Sequence, residues 1–253
     1  MAKKPDAPQS FPLRNVLLTL PVLLVLLLWS GVIAFCALAF PRWTRPRVGS
    51  LVRPWGRFAL HAFGVSTTLD GADYLFSDDP RIVLFNHVSL LDIPLLAAHT
   101  PDRPLVMYKR ELGKVPLIGW AFRATGMIPV ERENLERAIA SLSEAGRRIR
   151  EEHGAVMISP EGTRSRDGQL GDFKLGAFHL ACATGVPLVP LVMHGIEKVL
   201  PHGAWAVRPG TIRVVVYAPI PTDDWQTSEV REYARRLREL YLAELGQASD
   251  AAP

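Results

Sequence analysis

The strongest constraint in this chain is a run of 27 residues, Asn15 to Pro41, that carries no charge. Its centre reads Val-Leu-Leu-Val-Leu-Leu-Leu-Trp, then Ser-Gly, then Val-Ile-Ala-Phe-Cys-Ala-Leu-Ala-Phe. As one helix, residues 16–40 would measure roughly 37 Å at ~1.5 Å per residue. That length crosses a hydrocarbon core of ~30 Å with some tilt. It is too short for two complete spans, so the other membrane form is two short helices, broken at Ser30-Gly31, that dip into one leaflet. A buried core helix and a cleaved signal segment ending at Ala37-Leu38-Ala39 are the competing readings. The uninterrupted apolar length opposes both, because a signal core runs only ~7–15 residues.

Charge divides at the same place. Residues 1–50 carry six basic side chains and one acidic one, whereas residues 51–253 carry 23 basic and 24 acidic. The formal charge of +4 therefore belongs to the N-terminus, and the body is near neutral. A duplex-binding domain carries its excess on the folded part, so no nucleic-acid role is expected. Arg42, Arg45, Arg47, Arg53 and Arg57 follow the apolar run closely, and this bias places the body on the cytoplasmic side. Trp29 and Trp43 suit interfacial anchoring. Residues 51–64 mix aromatic and basic residues and read as an interfacial helix or a linker helix. The two cysteines, Cys36 and Cys182, exclude a disulfide scaffold and a multi-cysteine zinc site.

Beyond residue 64, short β-rich runs alternate with helical periodicity. Strands are expected at 81–86, 104–108, 126–131, 155–159, 188–194 and 211–217. Helices are expected from an Asn134 cap to about Glu152, over 172–184 and over 228–245. This alternation predicts an α/β fold with a mixed, largely parallel sheet flanked by helices. Two prolines in Val186-Pro187-Leu188-Val189-Pro190-Leu191 mark that run as an edge or irregular strand.

Four clusters carry chemistry. Asn86-His87-Val88-Ser89-Leu90-Leu91-Asp92 follows a strand end. A turn there can fold Asp92 back onto the His87 imidazole, fixing its tautomer and leaving the other ring nitrogen as a base. Pro160-Glu161-Gly162-Thr163-Arg164-Ser165 follows another strand end, with a glycine for close backbone approach and Thr and Arg as donors. Gly126 to Arg132 is a strand ending in an arginine, and Pro187 and Pro190 form the fourth cluster.

In this order and spacing the clusters resemble the signature of glycerolipid acyltransferases, and most closely the 1-acylglycerol-3-phosphate O-acyltransferases, also called lysophosphatidic acid acyltransferases. Asn-His-x-x-x-x-Asp and Glu-Gly-Thr-Arg match in full. The second block reads Pro-Val-Glu-Arg where the family commonly has Phe-Ile-Asp-Arg. Lys109-Arg110-Glu111-Leu112, Pro116-Leu-Ile-Gly119-Trp120 and Phe173-Lys174-Leu-Gly176-Ala-Phe178 are similar too, so the resemblance covers about residues 65–220. It divides the chain into a membrane-anchoring segment, 1–64, and an acyltransferase catalytic domain, 65–253.

The resemblance implies transfer of an acyl group from acyl-CoA or an acyl carrier protein thioester to a lysophospholipid hydroxyl in the membrane, giving phosphatidic acid. It makes His87 the general base and Asp92 its orienting partner. It assigns Arg132, Glu161, Gly162, Thr163 and Arg164 to the glycerol phosphate, with Lys109 as a further candidate. No metal and no resident cofactor are implied, and no serine or cysteine nucleophile is needed for direct transfer. The alternatives are another acceptor (glycerol 3-phosphate, a lyso-ornithine-type lipid or a different lysophospholipid) and an inactive membrane-bound lipid-binding protein.

Overall fold

The computed structural model describes residues 13–131, 135–165, 168–201, 203–204 and 206–247. The Asn134 cap and Arg132 lie outside the described residues. The chain begins with helix α1 (Leu13–Ala39), the short α2 (Pro41–Thr44) and α3 (Val48–Ala62). There follow β1 (Val65–Asp70), α4 (Ala72–Phe76), β2 (Arg81–Phe85), α5 (Asp92–Ala98) and β3 (Pro104–Lys109). Then come α6 (Ile118–Ala124), β4 (Ile128–Val130), α7 (Leu135–Glu152), β5 (Ala155–Ile158) and α8 (Gly176–Thr184). The chain closes with β6 (Leu188–His194), α9 (Ile196–Val199), β7 (Gly210–Val216) and α10 (Val230–Leu245).

The strands form one seven-stranded sheet in the order β1-β7-β6-β2-β5-β3-β4. Only the β6–β7 pair is antiparallel. The expected mixed, largely parallel sheet with flanking helices is therefore what forms. Strand β2 is buried along its whole length, as a central parallel strand covered on both faces should be. Its alternate residues serve two cores. Val83 and Phe85 pack with α1, α3 and α5 residues such as Leu26, Leu60 and Leu95. Ile82 and Leu84 pack with α7, α8 and α10 residues such as Ile149, Phe178 and Leu237.

Among the differences between sequence and structure, three bear on the sheet and its cover. The polar alternation Val-Ser-Thr-Thr-Leu-Asp gave no expectation of β1, which forms the sheet edge beside β7. Helix α8 starts at Gly176 rather than 172, because Asp172–Leu175 runs on as loop. Strand β6 lies inside the sheet, between β7 and β2, and is not an edge strand. Its two prolines are tolerated for a geometric reason. Leu188 N–H donates to Ile220 O, away from β2, and Pro190 O accepts from Tyr217 N–H on that same side. Successive residues of a strand point their amides to opposite sides, so the amide missing at Pro190 removes no bond to β2.

Helix α1 is continuous through Ser30-Gly31 and ends at Ala39, so of the two forms open to the sequence it is the single helix, not the pair broken at Ser30-Gly31, that is present. By length and composition it could cross a membrane. One stripe of it is nevertheless committed to the body: Val22, Leu26, Ser30, Ile33 and Ala37 are buried at helical spacing. Asn15, fully buried, donates its side-chain amide to Phe63 O and Val207 O at 3.0 and 2.7 Å. Trp55 Nε1 donates to Leu26 O at 3.0 Å. The opposite stripe, including Leu20, Leu24, Leu28 and Phe35, is exposed.

Helix α3 in turn braces α5. A Cβ on Gly56 would lie 2.4 Å from Ala98 N and 2.5 Å from Pro94 O, so only glycine allows this approach. Since α5 begins with Asp92, α3 helps set the height of that residue in the site.

The start of β2 is fixed by a buried cation. Arg81 is 4% exposed and donates to the carbonyls of Tyr74, Leu75, Ser77 and Asp79, gathering the 74–79 turn around its guanidinium. Burial lowers its pKa, and Asp79 and Asp78 oppose that shift. Arg81→Met should orphan these carbonyls and destabilise the protein by about 3 kcal/mol. Urea unfolding followed by tryptophan fluorescence measures it, and a loss under ~0.5 kcal/mol would show that the turn closes without the guanidinium.

Candidate active site

Strands β2 and β5 are parallel neighbours, with Leu84 opposite Ile158, so the segments that follow them emerge side by side. One carries His87 and the other Glu161. After Phe85 the chain leaves the sheet, turns at Leu90-Leu91 and enters α5 at Asp92. This loop is held by one carboxylate oxygen. Asp92 Oδ2 accepts from the amides of Val88 (2.8 Å) and Ser89 (3.0 Å) and lies 2.5 Å from His87 Nδ1. Asp92 is wholly buried, and among the described residues its second oxygen, Oδ1, has no hydrogen-bond partner. An orphaned buried oxygen is tolerated chiefly where function needs the group.

This geometry fixes the imidazole. With Nδ1 turned to the carboxylate and carrying the proton, Nε2 is the basic nitrogen. Among the described residues Nε2 makes no hydrogen bond, and the side chain is 22% exposed. The structure thus brings together the two residues paired from sequence.

The second turn grips the first. Glu161 is 5% exposed, and its carboxylate points inward. Oε1 accepts from the His87 amide at 2.7 Å and Oε2 from the Gly171 amide at 2.9 Å. The Ser165 amide donates to His87 O at 2.8 Å. Both backbone polar groups of His87 are therefore held by the 160–165 turn. Burial raises the Glu161 pKa, while its bonds to the His87 and Gly171 amides pull it down.

Gly162 has φ +68°, the left-handed conformation that the tight turn requires. Thr163 and Arg164 are exposed, and among the described residues the Arg164 guanidinium has no side-chain partner. Lys109, at the end of β3, is also exposed and sits 3.8 Å from Glu111. Lys109 pairs in the sheet with Val130 of β4. Glu131, in the second block, is held by Arg110 and Arg137 at 2.8 and 2.7 Å.

Three contributors escaped sequence reasoning. Asn86 uses its side chain as a strand end: Nδ2 donates to Met193 O at 3.0 Å and Oδ1 accepts from the Met193 amide at 2.8 Å. Its place inside the first cluster was the available signal. Lys174 lies along the turn, its Cδ 3.0 Å and Nζ 3.2 Å from where a Gly162 Cβ would sit, so it adds a cation beside Gly162. Tyr241 on α10 touches β2 and β6 from 50 and more residues away, and no local pattern announces it. Beside the turn, a cavity of about 930 Å³ runs between α7 and α8. Leu142, Ile158 and Leu180 are among its apolar walls, with Ser159 and Gly162 at the turn.

A His–Asp pair beside a glycine turn with exposed cations thus lies at the carboxyl ends of parallel strands. The family model described as Acyltransferase matches residues 66–194. The chain is 31% identical over 230 residues to the 1-acyl-sn-glycerol-3-phosphate acyltransferase of Cocos nucifera, covering 90% of this chain and 73% of that protein. It is 32% identical over 178 residues to the human 1-acyl-sn-glycerol-3-phosphate acyltransferase alpha, covering 70% and 63%. The crystal structure of the 1-acyl-sn-glycerophosphate (LPA) acyltransferase from Thermotoga maritima superposes with a TM-score of 0.76 at 25% identity, over 92% of this chain and 97% of that one. The chain belongs to the 1-acyl-sn-glycerol-3-phosphate acyltransferase family.

Proposed function

We propose that this enzyme, attached to the membrane with its catalytic body on the cytoplasmic face, transfers a fatty acyl group from acyl-CoA or an acyl carrier protein thioester to the free hydroxyl of 1-acylglycerol 3-phosphate. The product is phosphatidic acid, and the activity belongs to phospholipid biosynthesis. The observation that carries the reading is the Nδ1–Oδ2 contact of 2.5 Å, which leaves His87 Nε2 as the open base.

The reaction balances with these groups alone. Nε2 takes the proton of the acceptor hydroxyl as its oxygen attacks the thioester carbonyl. The imidazolium so formed is stabilised by Asp92. The tetrahedral intermediate collapses with cleavage of the C–S bond, and the imidazolium protonates the departing thiolate. Arg164, Thr163 and Gly162 of the turn hold the phosphate, with Arg132 and Lys109, and the arginine fork suits phosphate better than a lysine does. Glu161 serves that turn by keeping its shape. The cavity between α7 and α8 takes the acyl chain; its volume falls within the ~300–1,000 Å³ of ligand sites. The exposed face of α1 supports membrane attachment, which brings the site to lipids that do not leave the bilayer.

An acceptor panel against one radiolabelled acyl donor tests this. Purified enzyme in detergent should convert lysophosphatidate to phosphatidate and leave glycerol 3-phosphate and neutral lysolipids largely untouched. In the same assay Arg164→Ala should raise the lysophosphatidate KM about tenfold with little change in the donor KM, as expected for loss of a charged hydrogen bond. Acylation of a neutral lysolipid in preference to lysophosphatidate would sink the acceptor assignment.

A further inference from the structure

Leu117 and Gly31 each hold a position that suits the other residue. Pro116, Leu117 and Ile118 form a γ-turn, in which Ile118 N–H donates to Pro116 O at 2.7 Å. Leu117, at its centre, has φ +63° and ψ −51°, near the form that is rare and strained for a residue with a side chain. Glycine takes a positive φ without steric cost, yet leucine stands there. Gly31 lies inside α1, where glycine is a poor helix former and leucine a good one. The two anomalies meet. A Cβ on Gly31 would lie 3.2 Å from Leu117 Cδ2 and 3.6 Å from its Cδ1. The end of the Leu117 side chain therefore sits over Gly31, and α1 packs against α6, the helix that the γ-turn opens.

The turn belongs to a stiff unit. Arg110–Lys114 is a short 3₁₀ helix, and α6 follows from Ile118. A Cβ on Gly119 would lie 2.1 Å from Gly113 O, so the two pieces touch backbone to backbone. The Arg123 guanidinium donates to that same carbonyl. Gly119 N–H donates to Val115 O at 2.8 Å. This unit is tied to both strands that flank it. The Phe122 ring meets that of Tyr108, one residue before Lys109, at a centroid distance of 4.7 Å. Met127 N–H, just before β4, donates to Phe122 O at 2.9 Å. Lys109 starts where the unit starts, at the carboxyl end of β3, paired with Val130.

We propose that Leu117 is a positioning residue for Lys109: seated on Gly31, it braces the 110–124 unit against α1 and so fixes where the Lys109 ammonium stands in the acceptor site. This rests on the reading of Lys109 as a contact of the acceptor phosphate. The strain at Leu117 is kept because only a side chain there can fill the seat, and the glycine in α1 is kept because a side chain there would close it. Unseating Leu117 lets the unit shift, which weakens the hold on phosphate and leaves the thioester and His87 alone.

The experiment is steady-state kinetics on the full-length enzyme in vesicles, with lysophosphatidate as acceptor. Gly31→Leu fills the seat and should raise the acceptor KM about five- to tenfold, with the donor KM and kcat within about twofold of the parent. Leu117→Gly empties the seat and removes the strain, and should do the same. The exchange variant, Gly31→Leu with Leu117→Gly, puts the side chain back from the other wall and should return the acceptor KM to within about twofold. Lys109→Ala alone should raise that KM about tenfold, and adding Leu117→Gly to it should cost less than about twofold more. An unchanged acceptor KM in Leu117→Gly overturns the proposal, whether or not Gly31→Leu folds. So does an equal rise in both KM values, which is general damage, or a failure of the exchange to restore. A full further rise in the Lys109→Ala background overturns it too, because Leu117 then does not act through Lys109. If Lys109→Ala leaves the acceptor KM unchanged, the phosphate reading of Lys109 fails. If Lys109→Ala raises it while Leu117→Gly does not, that reading stands and only the positioning role falls.

Discussion

With alanine at position 87, kcat should fall about 10³- to 10⁴-fold, near the upper end of what a general base contributes. The protein should stay folded, because the His87 contacts that organise the site are largely those of its backbone, to Glu161 and Ser165, and alanine keeps both. Asp92→Asn divides the effect further. Only Oδ2 of Asp92 is engaged, so an asparagine can set its carbonyl oxygen there and accept the same three donors. Its amide nitrogen then occupies the place of Oδ1, where no partner waits. Geometry and tautomer survive and the negative charge is lost. A fall in kcat of about 10²- to 10³-fold, with substrate KM values little changed, measures what that charge does for the imidazolium. Stopped assays with purified variants, together with circular dichroism as a check on folding, decide both. A His87→Ala enzyme keeping a tenth of parental activity would remove histidine from the mechanism.

The second large effect is expected at Glu161. Glutamine has the same shape, but it has one acceptor where two amides need two. Either the His87 or the Gly171 amide then faces an NH₂ group, donor against donor, in a buried place. The His87 segment and the 160–165 turn should separate, with kcat/KM falling about 10²-fold and stability by about 2–4 kcal/mol. Glu161 also makes a pH signature. Burial raises its folded pKa above the ordinary ~4.3 of the unfolded chain. The folded state therefore holds this proton more tightly. Its contribution to stability is fullest below the unfolded value and is lost as pH rises through the folded one. Subtracting unfolding free energies of Glu161→Gln from those of the parent, pH by pH, should expose this fall on the mildly acidic side. A flat difference would mean that Glu161 ionises alike in both states.

The core of the site was legible because it is local. His87 and Asp92 stand five apart across one turn, and Glu161 to Arg164 are contiguous, so type and spacing carry the message. The orientation of Glu161 was not legible. A carboxylate in a Glu-Gly-Thr-Arg turn reads as a ligand-facing group, and only tertiary packing turns it towards the amides of His87 and Gly171. The sheet was legible wherever apolar β-branched runs were long, as in β2 and β6. It failed at β1, whose alternating threonines and serine match no buried pattern. It failed again at Pro190, where the cost of a proline depends on which side of the strand its missing amide faces. Tyr241 acts across more than 150 residues from Leu84, and periodicity on α10 marks it only as a core position.

Helix α1 is subject to two substitution rules at once. On the stripe that meets the body, at Val22, Leu26 and Ile33, volume and shape count, because neighbouring side chains pack against them. The stripe at Leu20, Leu24 and Leu28 is exposed, and in the proposed membrane-attached state fluid acyl chains would accept any outline there and oppose only polarity. Variation along this one helix should therefore alternate with its 3.6-residue turn. A library scored for function would show strict and lax positions interleaved, and the phase of that pattern would mark the side on which the lipid lies.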